Sequence, residues 1–193
     1  MGPRQATQVD TVTLVSRVSD CGGATPVWCA PSAARIPGMV QKHSSSEELD
    51  ALGARIERWL QQQLAENPVV AAVERDDESG ERRWFVRVRG EQKDVFSIWF
   101  HLDQRTLHYE TYVMPAPEEN HAAFFEHLLR RNLKLYGAAF AIGDEDAVFL
   151  VGRLSNECID EDELDRILGS LYTWVEQYFR PALRIGFASR FAG

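Results

Sequence analysis

Two histidines and a glutamate form the group in this chain whose residue types and spacing most resemble a metal site. His101 lies near the end of one stretch of alternating apolar residues, and His108 and Glu110 share one side of the next stretch. A two-residue turn at 104–105 would place His101 directly opposite His108 in a β-hairpin. Two imidazoles and one carboxylate could then reach one metal ion, although a shift of one residue in strand register would separate them. The alternative is that they are ordinary solvent-facing residues of an antiparallel sheet.

The acidic run at 160–165 has the composition of a cation site but not its pattern. It lacks the alternating oxygen ligands, central glycine and terminal glutamate of a calcium loop. The run is better explained as the start of a helix, where carboxylates interact favourably with the positive end of the helix dipole. The sequence contains no glycine-rich phosphate loop, G-x-S-x-G motif or H-E-x-x-H motif. We therefore predict that the protein is not an enzyme and that it has no catalytic residue and no cofactor.

Composition limits the size of the fold and the kinds of partner. With 193 residues, of which 45% are hydrophobic, the chain can form one ordinary core. Its formal charge of -8 disfavours nucleic acid and anionic membranes as partners. The three cysteines give neither an even disulfide framework nor a C-x-x-C pair, and there is no apolar run of about 18 residues that could span a membrane. We expect a cytoplasmic protein.

Residues 1–43 differ from the rest of the chain. They show no sustained hydrophobic period, and we predict a disordered or loosely packed extension because helix and strand breakers are closely spaced there: Gly22, Gly23, Pro26, Pro31, Pro37 and Gly38. A separate hypothesis is that translation begins near Met39 or Val40. Both interpretations place a single folded domain at residues 44–188.

A helix is predicted at the start of this domain. Either Ser44 with Glu47 or Ser45 with Glu48 can form a capping box, and Pro68 ends the helical pattern. Between these signals, apolar residues recur three and four positions apart, as on the buried side of an amphipathic helix: Leu49, Leu52, Ile56, Trp59, Leu60 and Leu64.

Next, the hydrophobic period shortens to two residues. This change predicts an antiparallel meander of four strands near 69–74, 83–89, 95–102 and 107–113. A second helix follows, favoured at its start by Glu118 and Glu119, with Phe124, Phe125, Leu128, Leu129 and Leu133 as its buried stripe. A hairpin at 138–142 and 147–151 then leads to a third helix, which is capped by Asp160 and should end or kink at Pro181.

The predicted order is α-β-β-β-β-α-β-β-α. It indicates an α+β fold in which three helices pack on an antiparallel sheet of five to six strands. Several phrases resemble the YbjN-like family of sensory transduction regulators, especially its actinobacterial members. They are R-R-N-L-K-L-Y-G at 130–137, A-I-G-D-E-D-A-V-F-L-V-G-R-L at 141–154, D-E-D-E-L-D-R-I-L at 160–168 and I-G-F-A-S at 185–189.

The resemblance implies a fold like that of type III secretion chaperones. It also implies a small acidic protein, usually a homodimer, that has no established enzyme activity and binds other proteins or influences regulation. The family motif carries no catalytic residues over to this chain. The long N-terminal extension and Pro181 depart from the family pattern.

One face of the meander is predicted to remain partly exposed, because the helices can cover only the other. Phe85, Trp99 and Tyr112 would lie on this face, and Arg87 and Arg89 beside them could pair with acidic groups of a partner. The alternative is an amphipathic face shielded by its own loops. We predict a non-catalytic, chaperone-like or regulatory protein that binds a protein or peptide partner through this face or the second helix. The alternative function is a small-ligand or metal-binding sensor that uses the 101/108 hairpin.

Overall fold

A computed structural model of the chain describes residues 43–191. In this range three helices and six strands follow the predicted order, which confirms the α+β fold. They are α1 Ser46–Glu66, β1 Val70–Arg75, β2 Arg83–Arg89, β3 Val95–Leu102, β4 Thr106–Met114, α2 His121–Asn132, β5 Ala138–Ile142, β6 Val148–Ser155 and α3 Glu161–Gly186. Short 3-10 helices follow β6 and α3 at Asn156–Cys158 and Ala188–Phe191. Apart from His43, the predicted N-terminal extension lies outside the described residues.

The six strands form one antiparallel sheet in the order β1-β2-β3-β4-β6-β5. The first four are joined as a meander, whereas β6 pairs with β4 and leaves β5 at the edge. Side chains alternate between two faces because successive residues of a strand point in opposite directions. We call the face that carries Trp84, Phe100 and Tyr109 the inner face, and the face that carries Phe85 and Trp99 the outer face.

The helices pack on the inner face. Trp59 of α1 meets Phe100 of β3 edge to face, with ring centroids 5.9 Å apart. On α3, Tyr172 stacks on Phe96 at 6.2 Å, and Tyr178 meets Phe140 at 5.9 Å. The sheet contributes most of the fully buried residues of this core: Trp84, Val86, Val88, Ile98, Phe100, Leu107, Tyr109 and Leu150.

The start of α1 selects one of the two predicted capping boxes. The Ser45 hydroxyl accepts a hydrogen bond from the Glu48 amide at 3.2 Å, and the Glu48 carboxylate accepts one from the Ser45 amide at 2.7 Å. At the other end, Asn67 has an extended backbone, as predicted for a residue that precedes proline. Among the helices described, none has both the length and the apolarity that a membrane crossing requires.

The second helix differs from its prediction at the start. Glu118 and Glu119 precede α2 and do not form its first turn. Their backbone amides donate to the Gly186 carbonyl at the end of α3, at 2.9 and 3.0 Å, and Glu118 also forms an ion pair with Arg190. The acidic pair therefore holds the end of α3 instead of starting a helix.

Two residues predicted in the buried stripe of α2 are exposed. Leu129 and Leu133 are 64% and 87% exposed, whereas Phe124 and Leu128 are buried. This part of the prediction is wrong for a geometric reason. Packing against α3 and the edge strand β5 buries only one narrow side of α2, and Leu133 lies beyond the last helical residue, Asn132.

Pro181 does not end α3, contrary to the alternative that it stops the helix. The helix continues to Gly186, and Ala182, just after the proline, is fully buried. Proline lacks an amide proton, so one backbone hydrogen bond of the helix is lost at this point. The contacts beyond it outweigh this loss, since Gly186 packs closely against Phe124 and Pro117.

Candidate functional site

Four aromatic side chains form the centre of the outer face, and we call them the aromatic patch: Phe85, Trp99, Tyr112 and Phe149. Cross-strand register pairs Phe85 of β2 with Trp99 of β3, and Tyr112 of β4 with Phe149 of β6. Both pairs meet edge to face, with ring centroids 5.2 Å and 5.6 Å apart. This is the favourable arrangement for aromatic rings, so each pair is a rigid unit on the sheet.

The aromatic patch remains accessible in the described part of the chain. Trp99 is 43% exposed and Tyr112 is 42% exposed, whereas Phe85 and Phe149 beside them are half-buried. A tryptophan and a tyrosine held on a sheet offer a large contact area at little cost in conformational entropy. This geometry is suited to packing against another polypeptide.

Charged residues surround the patch. Arg87 lies beside Glu74 of β1, with Nη2 3.4 Å from Oε1, in a pair in which both side chains are exposed. The side chains of Arg89 and Arg153 project from the outer face without a hydrogen-bond or ion-pair partner among residues 43–191. The patch therefore has an apolar centre with arginines at its margin.

Lys93, in the turn between β2 and β3, holds one corner of the patch. Its ammonium lies 4.8 Å from the centroid of the Tyr112 ring and 5.5 Å from that of Phe96. It donates hydrogen bonds to the carbonyls of Tyr112 and, at 2.9 Å, Val113. Burial lowers the pKa of Lys93 to about 8, so the side chain still carries its charge near neutral pH. These contacts fix the position of the Tyr112 ring.

A row of nitrogen-bearing side chains crosses the sheet next to the patch. The register places Arg83, His101, His108 and Arg153 side by side on β2, β3, β4 and β6, and we call them the histidine row. The Asp103 amide donates to the Thr106 carbonyl at 2.9 Å, which closes the predicted two-residue turn. The pairing of His101 with His108 that the sequence suggested is therefore present.

The geometry of the row does not gather three metal ligands. Glu110 Oε2 is 3.9 Å from His108 Nε2, whereas His101 Nε2 lies 3.5 Å from Asp103 and 3.7 Å from Glu81. Within residues 43–191, no three His, Cys, Asp or Glu side chains are placed to hold a metal ion. The guanidinium groups of Arg83 and Arg153 flank both histidines, and their charge opposes a further cation.

Burial lowers the pKa of His108 because the charged ring loses solvation, and nearby Arg153 and His101 act in the same direction against Glu110. His108 is therefore protonated at a higher pH in the unfolded chain than in the folded protein. The free energy of unfolding should therefore fall as pH decreases from the ordinary histidine pKa through the lowered one. We expect His108→Gln to lose less stability than the wild type between about pH 7.5 and about pH 5.

Urea unfolding at several pH values would measure this difference. His121→Gln is the matched control, because His121 is exposed at the start of α2 and distant in sequence from the row. Equal pH dependence in the wild type and His108→Gln would contradict the prediction.

A second apolar surface lies where α2 meets the edge strand β5. A groove of about 260 Å³ is lined there by Phe125, Leu128, Leu129, Phe140, Ala141, Ile142 and Val148. Ile142 is 54% exposed at its rim. The sequence predicted that the second helix could take part in binding, and this groove is the apolar surface beside that helix. It lies on the opposite side of the sheet from the aromatic patch.

A family model described as "Putative bacterial sensory transduction regulator" matches residues 53–184, which is most of the helix-and-sheet domain. The chain belongs to the YbjN family. This match confirms the resemblance found in the sequence.

Two mycobacterial proteins are similar to this chain in sequence. The uncharacterized protein ML2442 of Mycobacterium leprae (strain TN) is 33% identical over 107 residues, which cover 55% of this chain and 58% of that protein. The uncharacterized protein Rv0487 of Mycobacterium tuberculosis (strain ATCC 25618 / H37Rv) is 33% identical over 104 residues, covering 54% and 57%. The chain thus matches less than two thirds of the length of these YbjN relatives.

Among solved structures, the YbjN domain is similar to a chain of the heterodimeric complex ExoU-SpcU from the type III secretion system of Pseudomonas aeruginosa. The TM-score is 0.46 at 15% identity, and the match covers 66% of this chain and 96% of that chain.

The structure places all four residues predicted to bind a partner on one surface. Phe85, Arg87, Trp99 and Tyr112 lie on the outer face of this YbjN domain, and their strand periodicity was sufficient to predict it. Phe149 and Lys93 were missed. Phe149 reaches the patch only because β6 pairs with β4, and Lys93 reaches it from a turn, so neither has a local sequence signal.

Proposed function

We propose that this protein is a non-catalytic, chaperone-like or regulatory module that binds a protein or peptide segment on the outer face of its sheet. The observation that carries the proposal is the aromatic patch. Two edge-to-face aromatic pairs expose Trp99 and Tyr112 on the face opposite the helices. An exposed aromatic surface with arginines at its margin is typical of a protein interface.

Membership in the YbjN family supports the regulatory part of the proposal, since the family is described as a sensory transduction regulator. A regulator of this kind needs a surface for another molecule more than it needs a reactive centre. The outer face supplies such a surface on a rigid sheet, where little side-chain order would have to be gained on binding.

Binding to an array of nine-residue peptides tests the proposal. The peptides carry leucine or phenylalanine at positions 3, 5 and 7, which share one side of an extended chain, and varied residues elsewhere. The full chain is applied with a fluorescent label. We expect binding by a subset of the peptides, with Trp99→Ala weakening it about tenfold or more, because exposed aromatic anchors often dominate an interface. Tyr112→Ala should weaken binding in the same direction.

Leu133→Ala is the matched control, since Leu133 is 87% exposed but does not lie on a strand of the outer face. Its binding should equal that of the wild type. Trp99→Ala and Tyr112→Ala also remove ring contacts with Phe85 and Phe149 and should lower the thermal midpoint, so binding is compared at a temperature well below every midpoint. Binding that is unaffected by Trp99→Ala, or absent from every peptide, would refute the proposed use of this face.

The metal-sensor alternative rests on His101 and His108 and has a direct test of its own. Thermal unfolding of the wild type and of His101→Ala/His108→Ala would be followed with and without zinc. We expect zinc to shift the two midpoints equally, because the flanking arginines disfavour a cation. A zinc-dependent rise seen only in the wild type would favour the alternative.

We further propose a cytoplasmic homodimer. The described cysteine, Cys158, is a free and exposed thiol, which suits a reducing compartment. Leu129 and Ile142 at the α2–β5 groove supply apolar surface for a second copy without occupying the aromatic patch. Sedimentation over a range of concentrations tests the dimer, and Leu129→Glu should shift it toward monomer.

A further inference from the structure

We infer that the segment bound on the outer face is an extended chain with an apolar centre and a carboxylate-bearing residue at each end, about eight residues apart. This inference rests on the proposed function and specifies the chemistry of the partner. Its basis is the position of the unpaired arginines relative to Trp99 and Tyr112.

The outer face differs in charge from the protein as a whole. The chain has a formal charge of -8. In contrast, the strand residues that point outward include more arginines than carboxylates: Arg83, Arg87, Arg89 and Arg153 against Glu74 and Glu110. Arg83 and Arg87 are paired with Glu81 and Glu74, so the arginines left for a partner are Arg89 and Arg153. Two unpaired arginines beside an aromatic surface are complementary to a segment that carries carboxylates and apolar residues.

The two arginines without a described side-chain partner lie at opposite corners of the area covered by the four central strands β2, β3, β4 and β6. Arg153 lies on β6 in the histidine row, and Arg89 lies three strands away on β2, six residues along from the row's Arg83. Strands are spaced about 4.8 Å apart and rise about 3.3 Å per residue, so the two corners are about 25 Å apart. An extended segment covers that distance in about eight residues.

The diagonal between these corners passes between the side chains of the aromatic patch. Trp99 lies on one side of it and Tyr112 on the other, with Ser97 and Glu110 beneath. Apolar residues in the middle of the segment would contact both rings. Glu110 disfavours another carboxylate there, which restricts the acidic residues of the segment to its two ends.

Two other occupants fit the charge less well. Residues 1–43 of this chain carry a net charge of +2, with Arg4, Arg17, Arg35 and Lys42 against Asp10 and Asp20, and would be repelled by the arginines of the face. A second copy docked through the same face would bring two sets of arginines together. A foreign acidic segment has neither problem.

Three pools of nine-residue peptides test the inference by fluorescence polarisation with the full chain. All pools have leucine or phenylalanine at positions 3, 5 and 7, which lie on the same side of an extended chain as positions 1 and 9. They differ only in carrying glutamate, glutamine or lysine at positions 1 and 9. We expect the glutamate pool to bind about fivefold more tightly than the glutamine pool, as two exposed charge pairs would give. The lysine pool should bind most weakly.

Arg89→Gln/Arg153→Gln should remove the preference for glutamate, so that the glutamate and glutamine pools bind with equal affinity. Arg58→Gln/Arg180→Gln is the matched control, because these exposed helix arginines make the same change in net charge away from the sheet. The control should keep the fivefold preference.

The outcomes separate the two proposals. Equal binding of the glutamate and glutamine pools that is still weakened by Trp99→Ala would overturn the acidic-ended segment and leave the binding function intact. A preference that survives Arg89→Gln/Arg153→Gln, or tighter binding of the lysine pool, would also overturn it. If no pool binds in a manner sensitive to Trp99→Ala, both proposals fail.

Discussion

Gly152→Ala is expected to lower the free energy of unfolding by about 3 kcal/mol, because the new methyl group has no space. Gly152 lies on β6 between Tyr109 of β4 and Ala138 of β5. A Cβ atom there would overlap the buried Tyr109 ring and the Gly137 carbonyl oxygen. That carbonyl already accepts a hydrogen bond from the Tyr109 hydroxyl at 2.7 Å, so neither neighbour can move freely.

Gly169→Ala, in the same domain, is expected to stabilise the protein. Gly169 is exposed on α3, and apart from the helix's own neighbouring backbone no atom of residues 43–191 lies within 4 Å of where its Cβ would be. Replacing a glycine in a helix by alanine should raise the free energy of unfolding by about 0.5–1 kcal/mol. Urea unfolding measures both changes, and a Gly152→Ala protein as stable as the wild type would show that β6 is not packed as described.

Glu176→Ala is expected to lower the free energy of unfolding by about 3 kcal/mol, since it leaves a tight turn without its acceptor. The Glu176 carboxylate on α3 accepts hydrogen bonds from three successive backbone amides of the β2–β3 turn. They are those of Glu91 at 2.7 Å, Gln92 at 2.8 Å and Lys93 at 3.2 Å. These bonds join the last helix to the sheet beside the aromatic patch.

Amide hydrogen exchange of residues 91–93 would accompany the unfolding measurement, and protection there should fall most. Glu157→Ala is the control, because Glu157 is exposed and makes no hydrogen bond or ion pair with another described residue. It should change the free energy of unfolding by less than about 0.5 kcal/mol. Equal effects of the two substitutions would count against the anchoring role of Glu176.

This anchor also connects stability to the proposed function. Lys93 follows directly in the anchored turn and lies over the Tyr112 ring. Glu176→Ala should therefore weaken peptide binding through a displaced Tyr112 even though Glu176 itself does not lie on the outer face. In this respect Glu176 is a positioning residue.

Much of the candidate site could be predicted from the alternation of residues along β2, β3 and β4. A period of two assigns Trp84 and Phe85 to opposite faces without any knowledge of the rest of the fold. The short turn at Gln104 and Arg105 likewise determined the pairing of His101 with His108. Both inferences depend on neighbours in sequence, where sterics and turn geometry leave few choices.

The sequence by itself determined the order of the elements, a capping box at the start of α1 and the two faces of the meander, because periodicity and caps act within a few residues. Only the tertiary structure decided that β6 lies between β4 and β5, which brings Phe149 to Tyr112 and Arg153 to His108. It also decided that α2 exposes Leu129 and that α3 continues through Pro181. These outcomes depend on contacts between distant segments, and their energies outweigh the local preferences that the sequence displays.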